Sequence, residues 1–505
     1  MPVRKAQVNK EMAEDESGRF AIKPVEDPKM VIIDYGGANV AKPLHVGHLR
    51  AAIIGECLKR LSRFLGHQTL GDVHLGDWGL QMGQIIVEMQ ARDPELVYFD
   101  PNYTGSYPSE SPVTIDDLAE IYPIASQKSK SDPEIRALAQ QATTELQEGR
   151  PGYMALWKHF LDVSVADLKK NYGSLDVFFD LWLGESDVQS FIPPIVEDLT
   201  ERGVAIKSDG ALVVPVAEEH DKKELSPMML VKSNGSVGYE ATDLATIYQR
   251  VKDYNPDLIV YVVDSRQQEH FRKVFRAAYR SGIADIEKLE MEHAYFGTMN
   301  GTDGKPFKTR AGDVMRLEDL LGLMLKAARS KLAEISSDAG YTPEEEYEIA
   351  RNVGIAALKF GDLINHRTGN YIFDIERFTS FEGRTGPYLL YAVVRTNSIL
   401  EKAAEKGLVP GEILPAAGPE ERDLQLKLLE LPDLLNFAFD QRAPNHISDY
   451  TYNLAIAFNR FYAAHHILNE ENAAQQASWL RLAKLNVDVL TALLDMMGIG
   501  VPSRM

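Results

Sequence analysis

Short apolar runs and helical stripes alternate through the first two-thirds of the chain, and helical stripes alone fill the last third. Lys29–Tyr35 (KMVIIDY) is a compact β-branched run that stops at Gly36-Gly37, which predicts a buried strand. Beyond Asn39-Val40-Ala41-Lys42-Pro43, residues Leu49, Ile53, Leu58, Leu61 and Leu65 share one face of a helix, while Lys59, Arg60 and Arg63 fall elsewhere. Pro43 suits the entrance of that helix and Gly66 its exit. Thr69–Val73 predicts a second strand. Strand, glycine turn and helix in that order make the opening unit of a nucleotide-binding α/β sheet.

Pro94 to Asp132 breaks the pattern, being rich in Pro, Ser, Asp and Tyr without a clear period, and helical stripes follow from Asp132 to Tyr172. This predicts an insertion between two halves of a sheet domain. The sheet pattern resumes with Ala211–Val216, with Asp257–Asp264 (DLIVYVVD), apolar enough for a central parallel strand, and with Glu292–Met299. From Glu344 the period is helical, interrupted near Gly383–Pro387, Gly407–Pro419 and Arg442–His446, as in a helical bundle. The expected fold is an α/β Rossmann-type domain with an insertion, followed by an all-α bundle. Its expected limits are 1–28 for an N-terminal extension, 29–93 and 206–343 for the two halves of the α/β domain, 94–205 for the insertion and 344–505 for the bundle.

With 505 residues, 45% of them apolar and 25% charged, a disordered or fibrous chain is excluded. No apolar run approaches the ~20 residues of a membrane helix, and Met1–Arg19 is hydrophilic, so the expectation is a cytoplasmic protein without a membrane span or signal peptide. The single cysteine, Cys57, excludes a disulfide framework and a thiolate-rich structural zinc site. A net charge of −20 argues against a surface coated for nucleic acid but leaves room for a local groove. Three stretches run locally basic: Lys42–Arg63, Arg266–Arg280 and Lys305–Arg316. Such stretches are solvated helix faces unless they border a site.

His45-Val46-Gly47-His48, at the start of the first helix, carries the strongest chemical signal. In this composition H-x-G-H arises by chance with a probability of about 2%. A helix N-terminus offers free N–H donors and partial positive charge to a phosphate. Gly47 would let a flat base or ribose approach, and two imidazoles one turn apart can donate to phosphoryl oxygens as charge develops. A pair of surface or capping histidines also fits the residues. A second constellation, Gly304-Lys305-Pro306-Phe307-Lys308-Thr309-Arg310, is a basic loop able to reach a pyrophosphate, although exposed basic loops are common.

With a helical C-terminal domain, these two elements resemble a class I aminoacyl-tRNA synthetase. Residues 34–50 (DYGGANVAKPLHVGHLR) and 71–79 (GDVHLGDWG) are similar to the arginyl-tRNA synthetase family in particular. The similarity continues through Tyr239–Asp243, Asp264–His270, Lys305–Arg310 and the C-terminal helices. The resemblance implies an enzyme that activates L-arginine with ATP, the Mg²⁺ being carried by the nucleotide and no metal held by the protein, and that charges tRNA(Arg), with activation depending on bound tRNA. His45, Gly47, His48, Lys305 and Lys308 would hold ATP, with His45, His48, Lys308 and Lys42 acting in catalysis. The loop reads KPFKT where the family consensus is KMSKS, and Lys42 is expected to share the task of Lys308.

By the same resemblance Asp34, Asn39, Tyr239, Asp243 and Gln267 would bind arginine. A guanidinium, a planar fork of five donors, is well met by such acceptors. Tyr388, Arg395, Tyr462 and Met505 would line the anticodon site of the helical domain, although Tyr462 also reads as core beside Phe458 and Phe461. Only 33 residues precede Asp34, too few for the family's usual N-terminal domain, with Arg19–Val25 the expected remnant of its last strand. A monomer is expected. The alternatives are a shortened paralogue that binds tRNA or activates an amino acid without charging, and a small-molecule nucleotidyltransferase sharing H-x-G-H.

Overall fold

A computed structural model describes residues 2–223, 225–305, 307, 315–335 and 340–505. Strands β1 (Met30–Tyr35), β2 (Gln68–Asp72), β3 (Leu258–Val262) and β4 (Glu290–His293) form a parallel sheet in the order β2-β1-β3-β4. The inner strands read as continuous apolar runs because both faces of the sheet are covered. Val31, Ile33 and Tyr35 of β1 and Leu258, Val260 and Val262 of β3 pack into the core that holds helix Val46–Leu65. The alternate residues Ile32, Ile259 and Tyr261 face helices Tyr239–Tyr254 and Gln268–Ser281. Each fully buried aliphatic side chain contributes about 1.5–3 kcal/mol.

Four expectations are corrected. Ala211–Val214 does not join the parallel sheet: it pairs antiparallel with Ile206–Ser208 and Met228–Val231 in a separate sheet. The cause is the turn Asp209-Gly210, with φ of +47° and +78°, a two-residue hairpin loop that returns the chain beside itself. The run Glu292–Met299 is split. β4 ends at His293, and Met299–Asn300 pairs instead with Tyr371–Ile372, beyond the helix Pro343–Leu363. Residues 94–132 contain a helix, Ile115–Ser131, opened by reciprocal bonds between Thr114 and Asp117 and carrying Pro123 inside it. Arg19–Val25 is no strand: Phe20 and Ala21 take φ of +55° and +58°, and the Asp15 carboxylate accepts from the Ser17 and Ala21 N–H groups.

Beyond Pro343 the chain is helical apart from Tyr371–Ile372, with helices Gly386–Glu405, Pro419–Leu429, Leu431–Asp440, Asn445–Ala464 and Ala473–Met496 after the first. The breaks at 406–418 and 441–444 fall where glycine or proline interrupts the period, whereas that at 465–472 (HHILNEEN) contains neither. The first helix, Pro2–Glu14, packs on this bundle, where buried Asn9 donates to the Gln425 carbonyl at 3.2 Å. Two bonds, the second of them buried, tie the bundle to the first-motif helix. Arg60 donates to the Asp495 carbonyl at 2.9 Å, and Arg50 Nε pairs with Asp362 at 2.9 Å. None of the described helices is long and apolar enough to cross a membrane.

Candidate active site

A cavity of about 640 Å³ opens at the C-terminal ends of β1 and β3, where a parallel α/β sheet ordinarily takes its ligand. His45, Gly47 and His48 form one wall, Asp34 and Asn39 another, and Gln267, Phe296 and Met299 close it.

The histidines cap their own helix. His45 is extended (φ −127°, ψ 170°), and its Nδ1 accepts from Gly47 N–H at 3.0 Å. His48 Nδ1 reaches back to accept from His45 N–H at 3.2 Å, and the rings lie 4.0 Å apart. Val46 N–H donates to the Met315 carbonyl and His48 N–H to the His45 carbonyl. The first turn therefore has no free backbone donors of the kind expected from a bare helix end, because the His45 imidazole, the His45 carbonyl and residue 315 have taken them. The glycine is also explained differently. A Cβ on Gly47 would meet the His45 ring at 2.7 Å, so Gly47 makes room for its own cap.

Burial, and to a lesser degree the neighbouring His45, pushes the pKa of His48 down to about 3; burial and Lys42 lower that of His45. Both rings are then neutral at pH 7. With Nδ1 accepting in each, the proton must sit on Nε2. Neither Nε2 is bonded to a described residue, so the pair presents two N–H donors at the wall of the cavity.

The remaining phosphate candidates are more scattered. Residues 315–317 pair antiparallel with 44–46, through Val46 to the Met315 carbonyl at 3.0 Å and Leu317 to the Leu44 carbonyl at 2.9 Å, which brings Arg316, the last residue of the third basic stretch, against the first motif. Lys305 is exposed in the turn Gly301–Lys305, and Phe307 lines the cavity. Lys308 lies outside the described residues. Lys42 is half-buried with its ammonium 4.3 Å from the ring centre of Tyr122 on helix Ile115–Ser131, and it does not line the cavity.

Of the acceptors, Asp34, Asn39 and Gln267 share the cavity, whereas Tyr239 and Asp243 do not line it. Asp243 Oδ2 is 2.5 Å from His270 Nε2, and Tyr239, 63% exposed, packs on the same imidazole with ring centres 5.0 Å apart. That histidine follows Gln267 by one turn, so the two groups adjoin through it. Asp34 is already paired: Arg250 Nη2 donates to it at 2.5 Å and to Asp72 at 2.7 Å, all three buried. Sequence reasoning missed Arg250 and Asp72. A fully buried arginine on an otherwise ordinary helix gives no local signal, although Asp72 sits in the GDVHLGDWG stretch that did stand out.

The basic stretches are mostly consumed internally. Lys59 and Arg60 pair with Glu56, Arg276 with Asp221 at 2.7 Å, and Lys273 with Glu240 at 2.6 Å. Among the described residues one acidic cluster has metal-ligand spacing, Asp34, Asp72 and His74, and the Arg250 guanidinium already bridges its two acids. Asp264, the other acid on the cavity wall, is paired with Arg266.

In the bundle, Tyr388 and Arg395 lie two turns apart on helix Gly386–Glu405 and meet helix Asn445–Ala464. Tyr388 accepts from Asn459 at 2.8 Å, and the Arg395 guanidinium is 5.4 Å from the Tyr462 ring centre. Tyr462 is half-buried and stacks on Phe458, so it serves the core as well as this face. Met505 packs against the core.

Known proteins match the chain over most of its length. Residues 8–375 match the family described as tRNA synthetases class I (R), catalytic domain, and residues 389–505 the DALR anticodon binding domain. The arginine–tRNA ligase of Alkaliphilus oremlandii is 52% identical over 490 residues, 97% of this chain and 83% of that protein. That of Maricaulis maris is 53% identical over 478 residues, 95% and 81% of the two chains. The solved arginyl-tRNA synthetase of Thermus thermophilus superposes with a TM-score of 0.79 at 23% identity, covering 99% of this chain and 86% of the other, a likeness of fold. With its histidine-capped first motif, its parallel sheet and its helical bundle, the chain belongs to the arginyl-tRNA synthetase family and is a class I ligase.

Proposed function

We propose that the chain charges tRNA(Arg) in two steps at the one cavity. The carboxylate of L-arginine attacks the α-phosphorus of ATP, pyrophosphate leaves, and the arginyl group of the adenylate then passes to the terminal ribose of the tRNA. The observation that carries this reading is the pair of neutral imidazoles, Nδ1 pinned by backbone and Nε2–H free, facing a wall of carboxylate and amide acceptors. No covalent enzyme intermediate is needed, because positioning and electrostatics suffice.

In this reading His45 and His48 donate to phosphoryl oxygens as charge builds in the transition state, Gly47 keeps the cap intact, and Lys42, Lys305 and Lys308 meet the leaving pyrophosphate. Mg²⁺ arrives on the nucleotide, in keeping with a cavity whose acids are each held by an arginine. Asp34, Asn39, Gln267, Tyr239 and Asp243 receive the arginine side chain. A lysine in the same place would leave several acceptors unpaired, at about 1–3 kcal/mol each. Tyr388, Arg395, Tyr462 and Met505 grip anticodon bases by stacking on aromatic and guanidinium planes. The divisions at residues 29, 94, 206 and 344 separate these tasks in a cytoplasmic monomer. A non-catalytic paralogue is expected to have lost His45, His48 or Lys308, and all three are present in the sequence.

The test is ATP–pyrophosphate exchange with L-arginine, with and without tRNA(Arg). Exchange that needs arginine and is raised by tRNA supports the proposal. Absence of arginine-dependent exchange under both conditions sinks it.

A further inference from the structure

One row of the parallel sheet runs Asp72, Asp34, Tyr261 and His293 across β2, β1, β3 and β4. Partners in register point to the same face, so these side chains stand side by side. Arg250, fully buried on helix Tyr239–Tyr254, lies along that row. Its Nη2 bonds Asp34 Oδ2 and Asp72 Oδ2, and its guanidinium carbon is 5.3 Å from the Tyr261 ring centre. Two carboxylates against one guanidinium leave a formal excess of one negative charge. His74, with a ring nitrogen within 4.8 Å of both acids, bonds through neither nitrogen, and Arg250 Nε and Nη1 are buried without partners. Asp34 reaches the cavity wall and Asp72 does not.

We propose that Arg250 and Asp72 are positioning residues for the amino-acid substrate: with Asp34 they hold one uncompensated negative charge at the cavity wall, which a cationic side chain in the cavity completes. This rests on the reading of Asp34 as a contact of the substrate guanidinium. Arg250 fixes Asp34 by Oδ2 and leaves Oδ1, which accepts no hydrogen bond from a described residue, for the substrate. By itself, however, Arg250 would cancel the charge of Asp34, and a neutral pair has little preference for a cation. Asp72 restores that charge from one strand away without touching substrate. Burial makes the arrangement effective, since a net charge is costly in a poorly solvated site until a counter-charge arrives.

The test compares L-arginine with L-citrulline, its uncharged isostere, in aminoacylation of tRNA(Arg) by the full chain. Asp72→Asn is expected to raise the KM for arginine about tenfold with kcat and the KM for ATP nearly unchanged, the signature of lost uniform binding. The inhibition constant of citrulline should stay within about twofold, and Asp72→Glu should restore arginine binding. A distorted pocket would weaken both ligands together, and that result overturns the proposal. Arg250→Lys, which keeps the charge balance, provides an arm that does not depend on Asp72→Asn folding. It should preserve the preference for arginine over citrulline, and loss of that preference also overturns the proposal. Asp34→Asn separates the two levels. If it raises the KM for arginine while Asp72→Asn does not, the positioning role fails and the reading of Asp34 stands. If Asp34→Asn leaves that KM unchanged, the reading fails and the positioning role goes with it.

Discussion

Two walls of the same cavity meet burial in opposite ways. On the helix wall His45 and His48 have no carboxylate among their hydrogen-bond partners; burial lowers both pKa values and the rings stay neutral. On the sheet wall burial pushes the Asp34 carboxyl up, but Arg250 lies 2.5 Å away and pulls against it. An arginine does not give up its proton, so an acid bonded to it this closely is a carboxylate at neutral pH. Whether a buried group keeps its charge is set by the partner, not by the depth. The difference suits the two tasks. Neutral N–H donors can strengthen their bonds as phosphate charge develops, while a fixed anion recognises a cation already formed.

The comparison is broken most severely by removing a partner. Asp362→Ala leaves Arg50 buried beside the cavity without its carboxylate, and the expected loss is about 3–5 kcal/mol of stability, read from the denaturant midpoint at constant m-value. A loss below about 1 kcal/mol would mean that this buried charge does not depend on its partner.

Next in size is removal of a neutral donor. His48→Ala should lower kcat for adenylation by about 10²–10³ with the KM for arginine nearly unchanged, because its bond strengthens only in the transition state. Normal turnover with a raised KM for ATP alone would assign His48 to ground-state binding.

The pH dependence sharpens the contrast. His48 titrates near 6.5 in the unfolded chain and near 3 when folded, so between those values the unfolded state binds the extra proton. Its contribution to stability is complete above pH 6.5 and is lost progressively as pH falls towards 3. The drop in unfolding midpoint between pH 7 and pH 5 should therefore be smaller in His48→Gln than in the parent chain. Equal drops would show that the ring is not held neutral.

The smallest effect is expected outside the cavity. Arg395 is exposed against Tyr462, so Arg395→Ala should raise the KM for tRNA only about two- to fivefold, with the salt dependence flattened by about one unit if it contacts phosphate. An unchanged KM for tRNA would remove this face of the bundle from the binding surface.

What could be read along the chain was local and periodic. The buried strands Met30–Tyr35 and Leu258–Val262, the helix from Val46 and the helical bundle follow from apolar spacing, and H-x-G-H marks its own helix start. The Asp209-Gly210 hairpin was written in the sequence too, but its strands are short and one of them, Ile206–Ser208, is exposed and weakly patterned. Residues 94–132 hid a helix because Pro123 and a polar composition blur its stripe.

What tertiary structure decided was which charges meet. Arg250 lies 216 positions from Asp34 and 178 from Asp72, and Arg50 lies 312 from Asp362. Lys273 and Arg276, basic residues that the sequence offered to phosphate, are instead paired with acids from other parts of the chain, Glu240 and Asp221. Periodicity reports only which face of an element is buried. A buried charge is stable only with a partner, and chain folding, not spacing along the sequence, supplies that partner.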